Sequence, residues 1–385
     1  MSTLARSTAV RILADVPVSP NFAARQANVV CAYPSMCRAA GGRLVCVYRQ
    51  GPDKHSRSGV LMSAASDDHG ASWSQPTVVF DGLAGDPPQS VHAGVVAAPS
   101  GGELLALFKT VEVNESQAFI FSDEGRRLRQ WFYVARSADA GRTWSEPAVG
   151  VLPETPRDHY VGTRPLELPG GELFLAVEAT VDGREIALGT TSSDGGRSWQ
   201  PLWTALDDPT GRLSFGDPRL VLLPSGAIRL FAWTWVTSTE ETLPVHSSLS
   251  ADGGRTWSPP QSTGVASQIM TPLAAADGRL VAASNFRDPP AGIRLWTSAD
   301  EGRTWSSGPI VMWDDRAERI VGEPLEASAA AEAKAANDVW GNLPSFRFGT
   351  PDIAETSPGQ FVLSYYATTG GVLGVRACRF ELPPR

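Results

Sequence analysis

The apolar residues of this chain fall into short strands that come in pairs. Each pair is an apolar strand, a turn ending in Gly-x-(Leu/Ile/Phe), and a second apolar strand. YPSMCRAAGGRLVCVYR is the first copy; HAGVVAAPSGGELLALFK, TRPLELPGGELFLAVE, DPRLVLLPSGAIRLFAW, MTPLAAADGRLVAASN and TPDIAETSPGQFVLSYY follow. Their turn glycines are Gly42, Gly102, Gly171, Gly226, Gly278 and Gly359. Apolar runs this short, bounded by Gly and Pro, predict β-hairpins.

A polar box, Ser-x-Asp-x-Gly-x-(Ser/Thr)-Trp, follows each of the first five hairpins. The copies begin at Ser66, Ser137, Ser192, Ser250 and Ser298 and close on Trp73, Trp144, Trp199, Trp257 and Trp305. The Asp is a short acceptor that pins a tight turn. The Gly permits a positive φ, and the Trp lays an apolar plate between neighbouring sheets. A residue repeated in every copy serves the repeat's fold, so the box aspartates read as scaffold rather than as catalytic or calcium-binding groups.

Six hairpins and five boxes predict a closed ring of four-stranded antiparallel blades. The hairpin supplies strands one and two, and the box joins strands three and four. The sixth blade has its hairpin and GVLGVRACRFEL as strand three, and then the chain ends. The apolar segment from Ala9 to Val18 is left to complete it, which removes the exposed sheet edges. The expectation is an all-β, six-bladed β-propeller closed by an N-terminal strand.

Composition fits one domain over residues 1–385, since each blade packs mainly on its neighbours. The charge of −8 and the absence of a basic cluster argue against nucleic acid as a partner. No window has the ~20 apolar residues of a membrane span. The first residues, MSTLARSTAVRILADV, have no apolar core of secretory type, so a cytoplasmic location is expected. Cys31, Cys37, Cys46 and Cys378 lack metal or redox spacing and read as buried thiols. No metal motif and no phosphate-cradling loop is present, and no cofactor is implied. Two insertions interrupt the ring, at about 112–130 and 322–343, the second holding the helix-forming EASAAAEAKAAND.

Geometry locates the site. Strand one starts and strand two ends on the same face of every blade, away from the boxes. Strand-two ends then converge at the axis as Arg49, Lys109, Glu178, Trp233, Asn285 and Tyr366. Strand-one starts bring Tyr33 with Ser35, His92, Arg164, Asp217 with Arg219, Thr271, and Thr350 with Asp352. The loop GPDKHSRSG adds Asp53 and His55. These positions vary while the scaffold repeats, as a binding site on a repeat fold should.

The boxes resemble the Asp-boxes of the sialidase (neuraminidase) superfamily, which also uses six-bladed propellers, over about residues 9 to 382. The resemblance implies a carbohydrate substrate, an arginine-lined carboxylate site, an Asp acid/base and a Tyr nucleophile assisted by a Glu. Tyr366 resembles the late tyrosine by position, and Asp53 or His55 occupies the loop of the acid/base. In the first strand Pro34 matches the Phe-Arg-Ile-Pro motif, but Ala32 stands where the arginine belongs. Arginine's bidentate grip on a carboxylate has no neutral substitute, so a standard sialic-acid hydrolase is not expected.

Three functions stay open. A glycoside hydrolase needs two acidic groups flanking the bond; Asp217, Glu178 and Asp352 are the candidates, with Asp53 behind them. Arg49, Arg164 and Arg219 would bind an acidic group or hydroxyls. A uronate lyase would use His55 or His92 with Tyr33 or Tyr366 as base and acid. A non-catalytic binding propeller needs only the aromatic residues and cations, Tyr33, Trp233 and Lys109 among them. Nothing in the sequence fixes the oligomeric state.

Overall fold

The computed structural model describes residues 10–113, 128–153, 159–325 and 345–383. Six antiparallel sheets follow one another along the chain as blades of a propeller. Blade 1 runs Val30–Arg38, Leu44–Gly51, Val60–Ser66 and Thr77–Phe80; blade 2 runs Gln89–Ala97, Leu104–Glu112, Gln130–Ser137 and Ala148–Val149. Blade 4 runs Leu213–Leu222, Ile228–Val236, Thr242–Ser250 and Gln261–Ser262. Blade 6 pairs Phe348–Ser357, Gln360–Thr369 and Val372–Glu381 with the N-terminal strand Arg11–Pro17, which closes the ring as expected.

Two blades depart from the plan. In blade 3, strand one is broken into His159–Tyr160 and Leu166–Glu167; both pair with strand two, Leu173–Val181, before Arg184–Ser192 and Trp203–Leu206 complete the sheet. Blade 5 (Met270–Ala274, Leu280–Phe286, Gly292–Ser298, Ile310–Asp314) gains a fifth strand, Arg319–Pro324. Gly322 in that strand lies against Val10 and Ile12 beside the closing strand. The second expected insertion therefore begins as strand; its helix-forming stretch, and most of the first insertion, lie outside the described residues.

The boxes do what their residue types dictate. In the fourth, Ser250 Oγ donates to Asp252 Oδ1 at 2.8 Å, and the Gly254 and Thr256 amides donate to Ser250 Oγ and Asp252 Oδ1 at 2.8 and 2.9 Å. Gly254 has φ +87° and lies on the Phe174 ring of blade 3, where an added Cβ would come within 2.5 Å. The same position of the other boxes meets Val362, Val45, Leu105 and Phe231, each on strand two of the preceding blade. The box is thus both a turn staple and the joint between blades. All four cysteines are buried thiols.

Candidate active site at the hairpin end of the axis

A cavity of about 840 Å³ opens where the hairpin ends converge, as the strand arithmetic predicts. The described residues around it bring together eleven of the fourteen candidates. They are Tyr33, His55, His92, Lys109, Arg164, Glu178, Asp217, Arg219, Trp233, Asp352 and Tyr366.

A repeated backbone device aims several of them. Tyr33, Asp217, Thr271 and Thr350 each precede a proline within strand one, and Arg164 does so in the break of blade 3's strand one. Residues before proline favour extended backbone, yet Tyr33, Asp217 and Thr350 have φ of +57°, +49° and +45°. The ladder slips at each of these three points. A bulge re-aims a side chain that alternation would place elsewhere, and non-glycine residues hold this conformation only where their surroundings enforce it.

One wall carries the carboxylates. The Asp217 amide donates to Glu178 Oε2 at 2.6 Å, so the two acids share one corner. Burial, then the charge of Asp217, pushes Glu178 up to about 8. Burial also raises Asp217, while Arg219, 3.8 Å away, and Arg287 oppose the rise. A corner that resists holding two charges keeps one proton near neutrality.

The other wall is aromatic. Tyr33 Oη and His55 Nε2 are 3.2 Å apart, and the Tyr33 ring lies 6.5 Å from His92 and 5.7 Å from Tyr366. Burial, with Lys54 and Arg49 behind it, lowers His55 to about 3. His92 is pushed down by burial and by His55. Both imidazoles are neutral at physiological pH. Burial raises the Tyr33 and Tyr366 phenols, so both keep their protons.

Three candidates stand outside the lining. Arg49 is buried, and its guanidinium donates to the carbonyls of Val91, Asp53 and Ser56, stapling the 52–59 loop instead of meeting a ligand. Asp53 accepts the His55 amide at 2.6 Å and so fixes the loop that presents the imidazole. Asn285 closes a turn, accepting from the Ile269 amide and donating to Gln268 Oε1. Asp352 lines the cavity, but its carboxylate already accepts from the Met36 amide at 2.8 Å and Ser35 Oγ at 3.2 Å, with Arg164 at 3.5 Å. Its geometry is that of a tie between blades 6 and 1.

Sequence reasoning passed over Arg287 and Tyr160. Arg287 lies two residues beyond Asn285, just past the end of strand two of blade 5. Its guanidinium lies over the Phe346 and Phe348 rings at 4.0 and 4.7 Å, and Nε donates to Gln268 Oε1 at 3.0 Å. Tyr160 comes from the broken strand one of blade 3, which the hairpin pattern placed later in the chain. A histidine-tyrosine pair before an Arg-Pro step was the available signal.

The comparisons with known proteins agree with this architecture. Comparison with curated proteins finds no match in sequence. Among solved structures, a protein of unknown function from Dyadobacter fermentans superposes with a TM-score of 0.75 at 19% identity, covering 97% of this chain and 100% of that one. A Hadza microbial sialidase gives 0.65 at 15% identity, with 92% of this chain and 66% of that chain covered. A Penicillium chrysogenum α-L-arabinanase complexed with arabinobiose gives 0.64 at 15%, covering 96% and 98%. Identities this low establish the fold. The family model for the BNR repeat-like domain matches residues 42–307, and with it the chain belongs to the BNR repeat-like family.

Proposed function

We propose that the protein is a glycoside hydrolase that cleaves a small or acidic glycoside in the central cavity. The observation that carries the reading is the half-buried Glu178–Asp217 corner. Hydrolysis of a glycosidic bond needs one protonated and one ionised carboxyl group. Glu178, raised by burial and by its neighbour, supplies the proton to the leaving oxygen. Asp217, beside Arg219, is the ionised partner that activates water or attacks the anomeric carbon. Trp233 and the aromatic wall offer faces on which a sugar ring stacks. Tyr366 and Asp352 have hydrogen-bonding roles in this scheme and no covalent one.

The test is aglycone release from a panel of aryl glycosides, arabinosides, uronides and sialosides included, beside Glu178→Gln and Asp217→Asn. Turnover of one sugar class that both variants lose supports the reading. Turnover that survives in both sinks it.

A second reading rests on the Tyr33–His55 contact. A neutral imidazole bonded to a phenol is a competent base and acid for β-elimination on a uronate. Absorbance of a new C=C bond, lost in Tyr33→Phe but kept in Glu178→Gln, would favour the lyase. Tight binding with no turnover of any kind would leave a binding propeller.

A further inference from the structure

Tyr160 has no part in the scheme above, yet the fold is broken to deliver it. Its two-residue strand pairs with strand two of blade 3 so that Tyr160 lies directly opposite Glu178. Directly opposite residues of an antiparallel pair present neighbouring side chains on one face, and both of these line the cavity.

The ring is fixed from several sides. It lies on Gly162, where an added Cβ would come within 2.2 Å of the Tyr160 ring. Lys109 Nζ stands 5.8 Å from the ring centre, and the His92 ring is 5.3 Å away. The hydroxyl, in contrast, makes no hydrogen bond to any described residue. A side chain locked along its length with an open hydroxyl at its tip is built to meet a ligand.

We infer that Tyr160 is a further catalytic residue whose phenolic oxygen accepts a hydrogen bond from the hydroxyl on the sugar carbon next to the anomeric centre. The inference rests on the hydrolase reading and names its substrate class: glycosides that carry this 2-hydroxyl.

Elimination leads to that atom. Glu178 places its proton on the leaving oxygen, so Tyr160, opposite it in register, reaches the oxygens within two bonds of the anomeric carbon. These are the leaving oxygen, the ring oxygen and the 2-hydroxyl. The first is served by Glu178. The ring oxygen gains positive charge in an oxocarbenium-like transition state, so a donor aimed at it would oppose the reaction. A bond that the 2-hydroxyl donates strengthens as the transition state forms, because the growing charge makes its hydrogen more acidic. Burial and the nearby Asp217 raise the phenol, which keeps it neutral.

The experiment compares kcat/KM for the methyl glycoside turned over fastest with that for its 2-deoxy counterpart, in the wild type, Tyr160→Phe and Glu178→Gln. Tyr160→Phe should lose roughly 10- to 100-fold on the parent substrate and under about threefold on the 2-deoxy one. Equal losses on both overturn the assignment, whether Tyr160 is then a nucleophile or only a support. Thermal unfolding of Tyr160→Phe within about two degrees of the wild type separates a lost bond from a lost fold. Glu178→Gln should fail on both substrates. If it does not, or if the wild type hydrolyses no glycoside, the hydrolase reading fails first and the inference with it.

Discussion

Asp252 and Asp217 belong to the same blade, one in its box and one at the mouth, and their carboxyl groups are displaced in opposite directions. Asp252 is drawn down to about 2 by the Thr256 hydroxyl and amide, with Ser250 adding a further bond. Asp217 is pushed up by burial, despite Arg219 and Arg287. The residue type is the same; the donor supply differs. At the box, neighbouring hydroxyls and amides converge on a solvated carboxylate. At the mouth, Glu178 takes the Asp217 amide and adds a competing charge. The ring thus gives its scaffold satisfied acids and its cavity frustrated ones, the usual division between stability and chemistry.

The sharpest way to break this comparison is to neutralise one acid on each face. Glu178→Gln should lower kcat by roughly 10²- to 10⁴-fold, the usual weight of a general acid. Asp252→Asn should leave kcat/KM within about twofold. Comparable losses in the two variants would mean that the mouth acid acts through folding alone.

The pH profile follows from the same corner. Glu178 must hold its proton, so kcat/KM should fall as pH rises through about 8, and Glu178→Gln should abolish that limb with the activity. The stability sign agrees. A carboxyl whose folded value is raised binds its proton where the unfolded chain has released it. Its contribution is full below about pH 4 and is lost as pH climbs toward 8. Asp217→Asn removes the repulsion and should raise Tm by a few degrees near pH 8 while abolishing turnover. A lowered Tm there would show that the Asp217–Arg219 contact outweighs the crowding.

How much of this was legible is itself uneven. The boxes and hairpin glycines named the ring, the turn staples and the closing strand, because each is a local rule repeated in sequence. The mouth was legible by counting strands, which found Glu178, Asp217 and Tyr33. Counting failed where the chain left strand geometry. Arg49 and Asn285 sit at the right register but spend their polar atoms on loop carbonyls and turn amides. Tyr160 arrives on an extra strand fragment that no copy of the hairpin contains. Which convergent side chain is consumed by its own backbone is set by three-dimensional loop packing, and one sequence does not encode that in a readable period.

The joints between blades offer a test of the scaffold side alone. Gly254 and Gly278 both have positive φ, +87° and +83°, but only Gly254 faces a ring; nothing lies within 4 Å of a Cβ at Gly278. Gly254→Ala should therefore cost roughly 2–4 kcal/mol, adding overpacking against Phe174 to backbone strain. Gly278→Ala should cost about 1 kcal/mol, the strain alone. Denaturant midpoints that fell equally in both would assign the box glycine to turn geometry and remove its role as a joint.

The smallest expected effect is that of Asp252→Asn on stability. Asparagine keeps the shape and one acceptor, so the Ser250 hydroxyl and Thr256 amide contacts can persist, while the charge and the acceptor of the Thr256 hydroxyl are lost. The wild-type carboxylate has a folded value below its unfolded one. Its contribution is therefore present above about pH 4 and is lost as pH falls through about 2. The variant should melt slightly lower than the wild type at pH 7, and the difference should shrink steadily toward pH 2. A gap that stayed constant with pH would mean that the box depends on the shape of its acceptor and not on its charge, and the contrast between the two faces would then rest on the mouth acids alone.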